Sequence, residues 1–131
     1  MIVVDTSALV AILKHESGSD LFLDRLASAD GVFIGAPSKF ELLLVMGRSQ
    51  GENGMKDARL LLDNLQITVL DWTSALADIA ADALLGYGKG RHPAKLNFGD
   101  CMAYAVAKAL DAPLLFKGDD FALTDVKRVT G

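Results

Sequence analysis

The chain has 131 residues, of which 51% are apolar, and its formal net charge is −4. A chain of this size and composition can bury a hydrophobic core, so we expect one domain spanning residues 1–131 rather than a disordered chain. The acidic balance gives no overall attraction for nucleic acid. One cysteine excludes an internal disulfide, and no apolar run approaches the roughly 20 residues of a membrane span. We therefore expect a cytoplasmic protein that does not contact membranes.

Short apolar segments alternate with amphipathic segments along the chain. The pattern predicts buried strands at 2–4, 32–34, 67–70 and 113–116, and a further short strand at 127–129. It predicts helices at 6–13, 19–27, 36–46, 53–65, 74–87 and 98–110. This alternation is typical of βαβ units, which form a parallel sheet covered by helices. We expect an α/β fold, a three-layer α/β/α sandwich around a mostly parallel sheet of four to five short strands.

Carboxylates lie at the ends of several predicted elements. Asp5 and Asp119 follow strands, whereas Glu41 and Asp100 lie at helix starts. Because parallel strands share one carboxyl edge, we expect these acids to gather there. Each also has a structural explanation: Asp5 as a helix cap, Glu41 and Asp100 as members of capping boxes, and Asp119 as a turn residue.

Clustered carboxylates repel each other unless some are protonated or a cation neutralises them. The single cysteine and two histidines lack the spacing of zinc ligands, so an all-oxygen site favours Mg²⁺, with Mn²⁺ as an alternative. Such ions assist phosphoryl chemistry by activating water and stabilising the leaving oxygen.

Four stretches together resemble the PIN-domain ribonucleases, and within them the VapC toxins of bacterial and archaeal toxin–antitoxin pairs. They are Asp5-Thr-Ser-Ala-Leu, the acid Glu41, Leu96-Asn-Phe-Gly-Asp100-Cys and Lys117-Gly-Asp119-Asp-Phe121. The resemblance covers essentially the whole chain. It implies a PIN-like fold, Mg²⁺-dependent endoribonuclease activity and a homodimer. It also implies inhibition by a small cognate VapB-like antitoxin within a larger hetero-oligomer.

The resemblance also assigns four catalytic acids: Asp5, Glu41, Asp100 and Asp119. Asp5 and Asp100 are expected to bind the metal directly, while Glu41 and Asp119 bind it directly or through water. Asp120 is an alternative to Asp119, because many relatives place this acid slightly differently before the phenylalanine.

Polar residues beside these acids have predicted supporting roles. Ser7 and Asn97 are expected to orient the carboxylates by hydrogen bonds. A basic loop, defined by Lys89, Arg91 and Lys95, precedes the segment that carries Asp100. Its cations can bind RNA phosphates, although the loop is equally well explained as a solvated connection.

Apolar residues on the early helices exceed what one helix face buries, which predicts a groove for the antitoxin. They are Leu9, Leu13, Leu42, Leu43 and Val45.

Three other functions fit parts of the pattern. A phosphotransferase that forms an aspartyl phosphate would also place an acid after the first strand, but Ser7 occupies the position where its second aspartate is expected. A PIN-like binding module without catalysis, and a PIN-domain nuclease of RNA processing without an antitoxin, remain alternatives.

Overall fold

The computed structural model describes residues 1–129, and within them five helices flank a parallel sheet of four strands. The strands are Ile2–Val4 (β1), Val32–Gly35 (β2), Thr68–Leu70 (β3) and Leu114–Leu115 (β4). The helices are Thr6–Leu13 (α1), Ser19–Ser28 (α2), Ala36–Asn64 (α3), Ser74–Tyr87 (α4) and Phe98–Leu110 (α5). The predicted parallel sheet is therefore confirmed. None of the helices within residues 1–129 is both long enough and apolar enough to cross a membrane.

Strand β1 lies inside the sheet, whose order is β3-β2-β1-β4. It pairs in parallel with β2 on one side and with β4 on the other. From β1 the chain adds β2 and then β3 on one side of β1. It later adds β4 on the other side, so the strand order reverses next to β1. Ligands of open parallel sheets bind at the carboxyl ends of the strands at such a reversal. Asp5 follows β1 at this point.

Alternating strand side chains build two cores, one on each face of the sheet. Val3 and Leu114 belong to the core that is closed by α4 and α5. Val4 and Leu115 belong to the core that is closed by α1, α2 and α3. Strands β1, β2 and β4 are therefore covered on both faces, which explains their continuous apolar runs and confirms the three layers.

Helix α3 differs from the prediction because it joins two expected helices. The helical path runs through Gly47 and is interrupted at Gly51, whose φ of 64° and ψ of −147° are not helical, before continuing to Asn64. A positive φ of this kind favours glycine, which has no Cβ to clash. The predicted helices at 36–46 and 53–65 are therefore the two arms of one kinked helix, and Glu41 lies on the first arm.

The C-terminal segment contributes less to the sheet than expected. The strand predicted at 127–129 is a single parallel bridge between Leu114 and Arg128. Its backbone is held on both sides of that bridge, because Leu114 N–H donates to Lys127 O and Val129 N–H donates to Leu114 O.

Candidate active site

Asp5 is fixed by the junction of β1 with α1. It is the N-cap of α1, and its Oδ2 accepts a hydrogen bond of 3.0 Å from the backbone N–H of Ser7. The Ser7 hydroxyl in turn accepts a hydrogen bond of 2.9 Å from the backbone N–H of Lys117. Ser7 therefore orients Asp5 through its main chain, and its hydroxyl joins the start of α1 to the segment after β4.

Asp100 is fixed by a capping box at the start of α5. Asn97 Oδ1 accepts from the Asp100 N–H at 2.8 Å, and Asp100 Oδ2 accepts from the Asn97 N–H at 3.1 Å. Asp5 and Asp100 thus each use one carboxylate oxygen as a cap acceptor. Capping does not compete with a role at the cleft, since the cap hydrogen bond uses only one oxygen of each carboxylate.

Glu41 reaches the same region from α3. The expected capping box of Ser38 and Glu41 is wrong, because α3 begins at Ala36 with Gly35 as its N-cap and no side-chain cap. Glu41 therefore lies in the second turn, where its carboxylate is not used to cap the helix. That carboxylate lies against Gly99 in the first turn of α5.

Asp120, rather than Asp119, lines the cleft that these acids share. Both aspartates are exposed, in the turns that follow β4. Asp120 precedes Phe121, which is buried and packs its ring edge against Phe116 at a centroid distance of 5.0 Å. This buried ring fixes the backbone next to Asp120. The cleft has a volume of about 310 Å³, and its lining includes Asp5, Glu41, Asp100 and Asp120.

The charges of the cleft act on one another. Burial raises the pKa of Asp5 to about 6, hydrogen bonding from Ser7 opposes the rise, and the charges of Glu41 and Asp120 add to it. Burial likewise raises the pKa of Asp100 to about 6, against the hydrogen bond from Asn97 and together with the charges of Asp120, Asp5 and Glu41. This environment disfavours the charged forms of both carboxylates. A bound cation would stabilise these charged forms.

Glu16 is a cleft residue that sequence reasoning missed. It lies in the connection between α1 and α2, away from any strand end or helix start, so no sequence signal marked it. Its carboxylate forms an ion pair of 3.0 Å with Lys117 Nζ. Lys117 also lines the cleft and directly follows the apolar run of β4, a position that sequence reasoning can identify.

The basic loop lies outside this lining. Lys89, Arg91 and Lys95 are exposed and none of them lines the cleft. The loop is held at its base, where Lys89 N–H donates to Leu96 O and Leu96 N–H donates to Tyr87 O. It therefore starts and ends beside α4 and leads into α5 one residue before Asn97.

The exposed apolar surface is not the one expected. Leu9 and Leu42 are fully buried, and the other three residues of the predicted groove are partly buried. Phe40 and Phe98 are instead 66% and 75% exposed. Both border an apolar pocket next to Glu41, and a second apolar pocket shares Phe98 and Met102 with it and reaches Trp72 and Leu84.

The donor set of the cleft consists of oxygen atoms. Carboxylates and hydroxyls line it, and the cysteine of α5 belongs to the core instead. Within residues 1–129, no three side chains of histidine, cysteine, aspartate or glutamate are gathered closely enough to ligate one ion as a group. The carboxylates therefore surround the cleft without forming a closed protein cage.

Comparison with known proteins identifies the family. The family model of the PIN domain matches residues 2–127. The chain belongs to the PIN-domain family. It is 42% identical over 127 residues to "Ribonuclease VapC" of Mycolicibacterium smegmatis, covering 97% of this chain and 98% of that protein. It is 40% identical over 126 residues to "Ribonuclease VapC42" of Mycobacterium tuberculosis, covering 95% and 96%. These relatives place the chain among the VapC ribonucleases, as the sequence motifs predicted.

Solved structures confirm the fold. VapC20 of Mycobacterium tuberculosis, described as a toxin that cleaves the sarcin-ricin loop, superimposes with a TM-score of 0.80 at 19% identity over the whole of both chains. A chain of the VapBC2 complex of Rickettsia felis, bound to a DNA fragment from its promoter, gives a TM-score of 0.76 at 17% identity, covering 99% of this chain and 98% of that one. The PIN-like α/β/α architecture is thus shared.

Proposed function

We propose that this protein is a Mg²⁺-dependent endoribonuclease that acts as the toxin of a toxin–antitoxin pair. The observation that carries the proposal is the convergence of Asp5, Glu41, Asp100 and Asp120 on one cleft at the reversal point of the sheet. Relatives about 40% identical over nearly the whole chain are named ribonucleases. A divalent metal is a general requirement of PIN-domain ribonucleases.

The cleft fits Mg²⁺ by its chemistry. Its donors are hard oxygen atoms, and Asp5 and Asp100 each have one carboxylate oxygen outside the cap hydrogen bonds. Mg²⁺ usually keeps several waters and binds one or two protein carboxylates, which suits an open ring of acids better than a closed cage. When bound, the ion would activate water and stabilise the departing oxygen of the phosphodiester. Mn²⁺ has the same preferences and can substitute.

The residues of the chain then have distinct tasks. Asp5 and Asp100 would hold the ion, and the Ser7 and Asn97 main chains keep these two carboxylates in place. Glu41 or Asp120 accepts the proton of the attacking water. Asp120 takes the position first assigned to Asp119, since it is the residue that lines the cleft.

RNA binding needs cations, because the cleft itself is acidic. We assign phosphate contacts to Lys89, Arg91 and Lys95, which are exposed and lead into α5. Arg91 can bind a phosphate through two parallel hydrogen bonds.

The partners are a VapB-like antitoxin and a second copy of the chain. The structures that share the fold include a toxin–antitoxin complex from Klebsiella pneumoniae and the VapBC2 complex. The apolar surface around Phe40 and Phe98 is suited to burial between copies of the chain, since exposed apolar patches mark interaction sites. We place the pair in the cytoplasm, together with its RNA substrate.

Purified protein tests the enzymatic proposal directly. Cleavage of total RNA should require Mg²⁺ or Mn²⁺ and should stop in excess chelator, with Asp100→Asn as the inactive control. Cleavage that continues at full rate in chelator would contradict the metal mechanism. Co-purification from the native host should recover a small DNA-binding protein, and its addition should inhibit cleavage. Active protein without such an inhibitor would indicate a nuclease of RNA processing.

A further inference from the structure

Gly99 stands at the second position of α5, where its backbone does not require glycine. Its φ is not in the left-handed region, and it lies within regular helix. Glycine in a helix is less favourable than alanine by about 1 kcal/mol. Helix formation alone therefore gives no reason for a glycine at this position.

The space beside Gly99 explains the glycine. A Cβ at this position would collide with Glu41 Oε2 and would lie 2.9 Å from Cδ and 3.2 Å from Oε1 of the same side chain. The Glu41 carboxylate thus occupies the volume that any other residue at position 99 would fill. The contact joins α3 to the first turn of α5, one residue before Asp100.

This location also suits the charge of Glu41. The first N–H groups of a helix have no partner within the helix, and the positive end of the helix dipole favours anions there. The Glu41 carboxylate therefore lies at the start of α5, beside the residue that precedes Asp100.

We propose that Gly99 is a positioning residue for the candidate active site, because its missing side chain creates the seat that directs the Glu41 carboxylate toward Asp100. The proposal rests on the nuclease function proposed above. A side chain at position 99 displaces the end of Glu41, which is flexible, and leaves the two helix backbones in place. The substitution is therefore expected to change the position of the Glu41 carboxylate in the site and to leave the stability of the fold unchanged.

A set of four variants tests this seat: Gly99→Ala, Glu41→Asp, the double variant, and Gly86→Ala as a matched control. Gly86 lies in α4, and no atom stands within 4 Å of the place that an added Cβ would take, so it undergoes the same chemical change without a neighbour to displace. Gly99→Ala should lower kcat by about 10- to 100-fold, since a misplacement of 1 Å can cost about 100-fold. It should also weaken Mg²⁺ binding measured by calorimetry without RNA, while the thermal unfolding temperature in chelator stays at or above that of the wild type.

The double variant separates the seat from a general helix effect. Glu41→Asp withdraws the carboxylate by one methylene, so the methyl group that Gly99→Ala adds no longer meets it. In that background, adding Gly99→Ala should change kcat and Mg²⁺ affinity by less than about threefold, which is the non-additivity expected of residues in contact. Equal losses in both backgrounds, or a Gly99→Ala variant that matches Gly86→Ala in kcat and Mg²⁺ affinity, would overturn the proposal.

Failure of the proposed function would look different. If the wild type cleaves no RNA, the nuclease proposal fails, yet the Mg²⁺ titrations of the four variants still report whether Gly99 and Glu41 are coupled.

Discussion

Two pairs of acids near the cleft differ in burial, and only three of these four residues line it. Asp5 and Asp100 are 6% and 9% exposed, belong to helix caps and have raised pKa values of about 6. Asp119 and Asp120 are exposed and lie in the turns that follow β4. The first pair is held rigidly in an environment that disfavours its charge, whereas the second pair keeps its hydration. We infer that burial makes a carboxylate a fixed metal ligand, and that exposure leaves an acid free to handle water and protons.

The largest expected effect comes from neutralising a buried acid. Asp5→Asn and Asp100→Asn should each lower the cleavage rate by about 1000-fold, since losing several kcal/mol of metal-based stabilisation has that effect. Asn can still accept the same backbone hydrogen bond, so the helix caps should remain. Rates of RNA cleavage at saturating Mg²⁺ measure the loss, and Asp119→Asn is the matched control. If Asp5→Asn or Asp100→Asn cleaves RNA as fast as Asp119→Asn, the buried acids are not the metal ligands.

The second effect is on stability without metal. Because the folded pKa of each buried acid is raised above its ordinary value of 3.8 to about 6, the folded state binds more protons than the unfolded state between these pH values. Their contribution to stability is therefore fully present below about pH 3.8 and is lost as the pH rises through about 6. For Asp5 the shift corresponds to at most roughly 3 kcal/mol, so Asp5→Asn should be more stable than the wild type at pH 7.

Urea unfolding in chelator at pH 4.5 and pH 7 measures this difference. The gain of Asp5→Asn should be larger at pH 7 than at pH 4.5, and Mg²⁺ should reduce it because only the wild type binds the ion fully. A gain that is equal at both pH values would contradict the raised pKa.

A smaller effect separates the two exposed acids. Asp120→Asn should lower cleavage by about tenfold, since it removes either a proton acceptor or a ligand of metal-bound water. It should also lower the pKa of Asp5 and Asp100, whose rise its charge supports. Asp119→Asn should do neither, and carboxyl chemical shifts followed by NMR over pH 4–8 measure both. Equal effects of the two variants would show that the turn places both acids in the cleft.

The smallest expected effect extends the comparison to the cations. Replacing Lys89, Arg91 and Lys95 by Ala should weaken RNA binding and flatten its salt dependence by about 0.7 per lost phosphate contact on a single strand. Mg²⁺ affinity without RNA should change little, because exposed charges are screened over about 8 Å at physiological salt. Lys117→Ala is the contrasting variant, since Lys117 lines the cleft and pairs with Glu16. If the salt dependence of RNA binding is unchanged in the triple variant, the loop only connects α4 to α5 and does not bind phosphates.

Much of this architecture was predictable because local signals and tertiary structure agree. The apolar run before Asp5 and the Asn97–Asp100 capping box each mark an element boundary, and the structure has β1, α1 and α5 at the predicted bounds. Acids attached to such boundaries are placed by the fold itself. Asp5 and Asp100 were therefore accessible to sequence reasoning.

The remainder depends on contacts that no local pattern encodes. Asp120 faces the cleft because the neighbouring Phe121 is buried, and Glu16 enters through a connection. The apolar residues of α1 and α3 were expected on the surface, yet Leu9 and Leu42 fill the core between the two helices and the sheet. Periodicity shows that a face is apolar, but only packing shows whether another element covers it.

The hydrogen bond from the Lys117 main chain to the Ser7 hydroxyl joins residues that are 110 positions apart. During translation, β1 and Asp5 emerge from the ribosome early, whereas β4 and the segment with Lys117 and Asp120 emerge after every other part of the cleft. Because domains fold as units once their strands are available, the acids of the cleft stay apart until this last segment of the cleft has been made and has folded. The site is therefore assembled late in synthesis: Asp5, which is made first, has no complete cleft around it until the segment with Lys117 and Asp120 has been made.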